Sequence, residues 1–311
     1  MPTVTRSAGR RSGPISPASP PWPALRRRWQ PSRPAANPAS RSLICRSCME
    51  TVPAQADLYQ CSVVESRTVG AYHLIAFVAG EIAAVARPGQ FVMIRQSGPA
   101  LDPLLPRPMG IHDVEADLVK VLIEPVGKGT VVLTDARVGD RFSVLGPLGN
   151  GFDLSGEGPA VIVGGGVGVA PLALLAGTLA GRGRDIRCLL GFKTRVQAVA
   201  AGLFRDVDVD ICTEDGTMGR KGVVSDLLAE CLIGLGPAAA GVELFTCGPG
   251  AMMRAVVDAA RECGADAQVS VATHMACGVG ACQGCVVRVD GEYRCACNQG
   301  PVFRAGELEW R

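Results

Sequence analysis

The chain has 311 residues, 48% hydrophobic, 5% aromatic and 19% charged, with a formal net charge of +2. That length suits about two domains with sizeable cores and excludes a wholly disordered, collagen-like or coiled-coil protein. The charge is divided: residues 1–48 hold nine arginines and no acid, which leaves −7 for residues 49–311. An acidic body gives no reason to expect nucleic-acid binding.

The N-terminal stretch also holds nine of the 22 prolines. Such a composition cannot bury enough apolar surface to offset chain entropy, so residues 1–56 are expected to form a disordered head. It is Arg- and Ser-rich like a transit peptide, but its prolines oppose an amphipathic helix, and Arg10-Arg11 lacks an apolar run. Met49 opens a more ordinary start. The head therefore reads as a tail or an over-extended reading frame rather than a targeting signal.

Residues 57–152 read as short β-segments: 59–69, 71–79, 89–96 and 118–126, punctuated by Gly and Pro. That spacing predicts a small antiparallel barrel. Within it, RPMGIH (107–112) and GKGT (127–130) each place a cation beside residues that permit close backbone approach. Arg107 can clamp a phosphate as a fork, and the amides of Gly129 and Thr130 can bind the same group. A pair of plain surface turns is the competing reading.

Residues 153–265 alternate strand-like runs (AVIVGG, RCLLGF, VDVDICTE, VELFTCG) with helix-like ones, which predicts a parallel sheet with crossover helices. Residues 158–181 carry no charge over 24 positions, long enough to raise the question of a membrane span. Three consecutive glycines and a proline at the centre favour a buried strand, a glycine loop and an apolar helix. No membrane segment is expected. GGGVGVAP (164–171) departs from G-x-G-x-x-G because Val169 stands at the third glycine position, yet it follows a strand and opens a helix. CGP (247–249) again puts Gly and Pro between strand and helix, and two such turns suggest a dinucleotide crevice.

Residues 266–311 form a region dominated by Cys and Gly. Five of the 13 cysteines lie between 277 and 297, and clustering without an export signal points to metal binding in a reducing cytoplasm. Cys277, Cys282, Cys285 and Cys297 form C-x4-C-x2-C-x11-C, the plant-type [2Fe–2S] arrangement with a shortened final gap. Small residues at 278, 280, 281 and 284 let amides approach the sulfurs. Cys295 competes with Cys297 for the fourth position, and a zinc site is the alternative, though zinc usually takes paired C-x2-4-C hairpins. The pair Cys45/Cys48 falls in the head and reads as accidental.

The order of these motifs, ending in CNQGPVF (297–303), resembles the electron-transfer subunits of class 1B dihydroorotate dehydrogenases, within the ferredoxin–NADP reductase superfamily. The resemblance covers residues 57–311. It implies FAD on the barrel, NAD at the parallel sheet and one [2Fe–2S] cluster in the tail. By its motifs, Arg107, Pro108, Met109 and Gly110 would contact the flavin and its pyrophosphate. Leu122, Ile123 and Glu124 would lie along the flavin, and Gly129 and Thr130 would bind phosphate. Gly164, Gly165, Gly166 and Gly168 with Cys247, Gly248 and Pro249 would frame the nicotinamide nucleotide. The position of CNQGPVF identifies Cys297, not Cys295, as the fourth ligand. The superfamily usually has Ser where this chain has Gly110, so a hydroxyl toward the flavin is missing.

The implied function is a cytoplasmic redox relay in pyrimidine biosynthesis. An FMN-containing catalytic subunit, assembled with this chain as a heterotetramer, would send electrons through the cluster to FAD and then to NAD⁺. No catalytic acid or base is expected, and His73, His112 and His274 read as structural. The alternatives are an NAD(P)H:ferredoxin oxidoreductase or sulfite-reductase-type subunit and, outside enzymes, a zinc-stabilised binding module. Asp185 is a weak candidate for holding a ribose hydroxyl, so NAD and NADP are not distinguished.

Overall fold

A computed structural model of the chain describes residues 56–97 and 102–310, all within one compact unit, Ile44–Arg311. The Arg- and Pro-rich head, with Cys45 and Cys48, lies outside the described residues.

Six strands, β1 (Asp57–Val69), β2 (Tyr72–Val78), β3 (Phe91–Gln96), β4 (Arg107–Glu115), β5 (Leu118–Ile123) and β6 (Arg141–Leu148), close an antiparallel barrel in the order β1-β2-β5-β4-β3-β6. Two short helices, α1 (Gly80–Ala83) and α2 (Lys128–Thr134), belong to its connections. Alternate residues such as Val63, Phe77, Ile94, Ile111, Val121 and Phe142 are buried inside it. Each such side chain contributes about 1.5–3 kcal/mol by leaving water. Buried Lys120 is offset by Asp113 at 3.0 Å and Glu115 at 2.6 Å. The segment RPMGIH is not a turn but the start of β4, and β6 was also absent from the sequence reading. Pro108, Gly110, Gly146 and Pro147 weaken the strand signal in both, as Gly and Pro do generally.

β4 carries a bulge. Ile111 pairs with Val121 but Asp113 pairs with Lys120, so His112 is the extra residue on its strand.

The second layer is a sheet in the order β10-β9-β8-β7-β11-β12, all parallel, from β7 (Ala160–Gly165), β8 (Ile186–Phe192), β9 (Val209–Thr213), β10 (Arg220–Lys221), β11 (Glu243–Cys247) and β12 (Asp266–Ser270). The helices are α3 (Ala170–Gly181), α4 (Arg195–Ala198), α5 (Val224–Leu235) and α6 (Gly250–Cys263). The uncharged stretch 158–181 is thus β7, a glycine turn and α3. A helix apolar on all sides must be covered on all sides. Leu172, Leu175 and Leu179 of α3 pack with the sheet, while Leu174 packs against the barrel core. One core cluster accordingly joins Tyr72, Leu74 and Leu122 of the barrel to Ile162 and Phe245 of the sheet. Among the described residues, Val224–Gly241 is the one helical stretch long and apolar enough to cross a membrane. Val224, Leu228, Cys231 and Leu232 of this stretch are buried against the sheet and α6.

The cysteine region holds a hairpin of β13 (Val286–Val289) and β14 (Glu292–Cys295), then β15 (Val302–Arg304). The expected boundary at 265/266 does not separate two structures. β12 is a strand of the parallel sheet, and β15 returns from the cysteine region to pair antiparallel with it. DAQVS (266–270) is a short strand with no Gly or Pro to part it from the Cys-rich loop that follows, so its sequence does not mark the division.

Candidate cofactor cleft and cysteine loop

The chain order reverses between β7 and β11: successive strands run outward from β7 on one side, then cross to β11 and β12 on the other. A crevice opens at the carboxyl ends of strands at such a switch point. Here it is a cleft of about 870 Å³ between the sheet and the outer face of β4 and β5.

On the sheet side, Gly165, Gly166, Gly168, Cys247, Gly248 and Pro249 all line the cleft. The two turns touch, because a Cβ on Gly168 would lie 2.5 Å from the Gly248 Cα. Gly166 has φ +55° with open space around it, as expected where backbone must face a ligand. Gly164 is different. Its side faces Leu172, Leu190 and Val169 in the core, so it serves packing and not the cleft wall. The α6 N-terminus at Pro249 has no side-chain cap among the described residues, so its first amides are available to an anion. Burial pushes the Cys247 thiol up to about 11 against a hydrogen bond with Ser270. It therefore stays protonated at neutral pH and is no nucleophile.

On the barrel side, Pro108, Met109, Gly110, Leu122, Glu124 and Thr130 line the cleft. Ile123 does not: strand alternation turns it into the barrel core, 1% exposed. Arg107 and Gly129 line a neighbouring cavity of about 210 Å³. The Arg107 guanidinium lies across Gly129, where a Cβ would be 2.0 Å from Nε, and donates to the Leu105 carbonyl at 2.7 Å. The Thr130 hydroxyl is engaged in the loop itself, accepting from the Val126 and Gly127 amides at 3.0 and 3.1 Å. Gly110 faces Pro171 of α3, where a Cβ would lie 3.2 Å from the proline Cβ.

Several lining residues were not anticipated, among them Phe91, Lys193, Glu214, Ser270 and Met275. Phe91 was legible in principle. The run FVMI in β3 is buried on both faces, with Val92 and Ile94 in the barrel core and Phe91 and Met93 against the cysteine region. Asp185 is misplaced for a ribose, since it precedes β8 at the opposite end of the sheet and its carbonyl accepts from Ala160. Glu214, just past the end of β9, is the acid that reaches the cleft from the sheet side.

The cysteine loop follows directly. Val271, Ala272, Thr273 and Met275 form part of the cleft wall, and the chain then enters Cys277. Gly278 and Gly280 have φ +75° and +78°, which bend the backbone so that amides face the sulfurs. The Gly280 amide donates to Cys297 Sγ at 3.0 Å, and the Cys282 amide to Cys277 Sγ at 3.4 Å. Burial raises the Cys277 thiol, but donation from Cys282, Val279 and Ala281 outweighs it and brings the group down to about 7. Burial, then the neighbouring Cys285 and Cys277, push Cys297 up, opposed by the Gly280 amide. A buried thiol whose ionisation its neighbours oppose, as at Cys297, suits a cationic metal core. Among the described residues no three His, Cys, Asp or Glu side chains close around a single ion. The amides aimed at Cys277 and Cys297 suit the anionic sulfurs of an iron–sulfur centre, whose potential such hydrogen bonds tune. Cys282 is exposed and Cys285 and Cys297 are buried, so the loop has an outer and an inner end. Cys295 is also buried, its sulfur 4.0 Å from the Gly280 carbonyl oxygen.

The Ser66 hydroxyl already donates to the Ala136 carbonyl, so His73 Nε2 donates to Ser66 at 2.8 Å.

Residues 272–309 match the family model for the iron-sulfur cluster binding domain of dihydroorotate dehydrogenase B, which favours iron–sulfur over the zinc alternative. The dihydroorotate dehydrogenase B (NAD(+)) electron transfer subunit of Geobacillus thermodenitrificans is 37% identical over 257 residues, spanning 79% of this chain and 96% of the relative. The chain belongs to this family. The counterpart from Desulforamulus reducens is 36% identical, over 76% of this chain and 92% of its own. Among solved structures, an NADH-dependent reduced ferredoxin–NADP oxidoreductase chain superposes with a TM-score of 0.71 at 30% identity, covering 80% of this chain and 90% of that one. The ferredoxin reductase of a carbazole 1,9a-dioxygenase shares the fold at 20% identity and TM-score 0.58, over 68% of each chain.

Proposed function

We propose that this chain is the subunit that carries electrons between NAD⁺ and an FMN-containing dihydroorotate dehydrogenase catalytic subunit, as a cytoplasmic heterotetramer in pyrimidine biosynthesis. The observation that carries the reading is the continuity of one wall. Ser270, Val271, Ala272, Thr273 and Met275 line the cleft, and the chain runs straight on into Cys277, whose loop carries the exposed Cys282.

In this reading the cleft takes FAD on Pro108, Met109, Gly110, Leu122 and Glu124, with Arg107, Gly129 and Thr130 at its phosphates. The nicotinamide nucleotide lies against Gly165, Gly166, Gly168 and Cys247 to Pro249, and Gly164 supports that turn from the core. Cys277, Cys282, Cys285 and Cys297 hold a [2Fe–2S] cluster. A flavin supplies exchange between a nicotinamide hydride and single electrons of an iron–sulfur centre. The chain's own part is to orient, to exclude water and to aim amides at charge that develops. The uncapped α6 N-terminus favours an anionic phosphate, while the Gly280 and Cys282 amides favour negative charge on the sulfurs.

The test is reconstitution. Protein purified without oxygen and mixed with the catalytic subunit should reduce NAD⁺ when given dihydroorotate, and neither subunit alone should. Similarity to the NADH-dependent ferredoxin–NADP oxidoreductase favours one second reading, a ferredoxin-linked partner. Co-purification of a ferredoxin-linked subunit without FMN would establish it in place of the first.

A further inference from the structure

The two walls of the cleft belong to different layers, and the distance between them sets how closely a flavin and a nicotinamide can approach. Beside the cleft they meet where the outer face of β4 packs on the first turn of α3. Gly110 of β4 contacts Pro171, and both line the cleft. Two residues along the strand, His112 is 2% exposed, and its Nδ1 lies 2.9 Å from the carbonyl oxygen of Ala170. A carbonyl only accepts, so Nδ1 carries the proton and donates. Ala170 in turn follows the turn Gly165–Gly168 that forms the opposite wall.

His112 reaches that carbonyl because of the bulge. It is the extra residue in the β4–β5 register, and a bulge re-aims the side chain it carries. A regular strand would continue the barrel ladder at this position. Instead the chain gives up one ladder pair and spends the residue on a hydrogen bond between layers.

We propose that His112 is a positioning residue for hydride transfer: its bond to Ala170 holds the glycine turn of the nucleotide wall at a fixed separation from β4, the flavin wall. This rests on the function proposed above. Reacting atoms must come within about 3–3.5 Å, and a misplacement of about 1 Å costs about 100-fold in rate.

The test compares H112F, which fills the space without a donor, with H112N, whose amide can donate to the same carbonyl. Holoprotein is reduced anaerobically with NADH and with NADH deuterated at the transferred position. H112F should keep its FAD, its iron and its NAD⁺ dissociation constant, reduce its flavin 10–100-fold more slowly and show a larger isotope effect. H112N should stay within about threefold of the parent. Amide hydrogen exchange without nucleotide supplies a readout independent of turnover: the Leu174 amide, four residues after Ala170 in α3, should lose protection in H112F and keep it in H112N. Unchanged reduction and exchange in H112F would overturn the proposal, as would equal slowing in H112N and H112F. If H112F does not retain FAD, H112A is read by the same two measurements, and parent-like values there overturn it. A parent protein that is not reduced by NADH at all would instead overturn the proposed function.

Discussion

A Cβ on Gly278 would lie 2.6 Å from Met93 Cγ, so the first turn of the cysteine loop rests directly on the barrel. The same glycine has φ +75°. Gly278→Ala therefore meets two obstacles, the left-handed backbone at about 1–2 kcal/mol and a side chain with no room. The expected outcome is loss of most of the iron with FAD retained, read by iron analysis and by flavin released on denaturation.

The fourth ligand can be separated from its neighbour. Cys297→Ala should abolish the visible bands of the cluster and lower iron to background. Cys295→Ala should leave both within about 20% of the parent, since it removes a buried thiol but no ligand, at the modest cost of a small cavity. Iron loss in the second variant alone would transfer the role to Cys295.

The contact between the two glycine turns makes a different prediction. Gly168→Ala places a Cβ 2.5 Å from the Gly248 Cα, backbone that cannot swing aside as a side chain can. The turns must separate, and the crevice they frame with them. NAD⁺ affinity, measured by titration of holoprotein, should fall at least tenfold while FAD and iron contents stay unchanged.

Acid should weaken the seam between the layers. Burial holds His112 below its ordinary 6.5, helped by Lys120 and Arg205 and opposed by the Ala170 hydrogen bond and Asp113. The folded state thus binds this proton less readily than the unfolded one. Its contribution is complete above pH 6.5 and is lost as pH falls through the lower folded value. The thermal midpoint should therefore drop between pH 6.5 and 5 more steeply in the parent than in H112N, where position 112 no longer titrates. Parallel curves would show that His112 is not the group responsible.

How far the site was legible depended on the kind of signal. Cysteine spacing and glycine turns carry their chemistry in consecutive residues, so Cys277 to Cys285 and Gly165 to Gly168 could be named from sequence. Strand β4 could not, because Pro108 and Gly110 serve the cleft and spoil the β pattern in the same stroke. Ile123 was included with its neighbours Leu122 and Glu124, although strand alternation sends it the other way. Ser270 and Glu214 reach the cleft from the ends of two separate strands, and nothing local marks them. His112 needed most: its role depends on a register shift that exists only when β4 lies beside β5.

The pairing of Gln268–Ser270 with Val302–Arg304 has a consequence for how the protein fails. An open row of strand amides and carbonyls is a template for pairing with another chain. At one end of the sheet the exposure is small, because β10 spans two residues. At the other end, concealment depends on β15, the three residues Val302–Arg304. A chain stopped short of Val302 would keep Cys277, Cys282, Cys285 and Cys297 and still bare the β12 backbone. Its defect would be insolubility, appearing before any deficit in electron transfer could be measured.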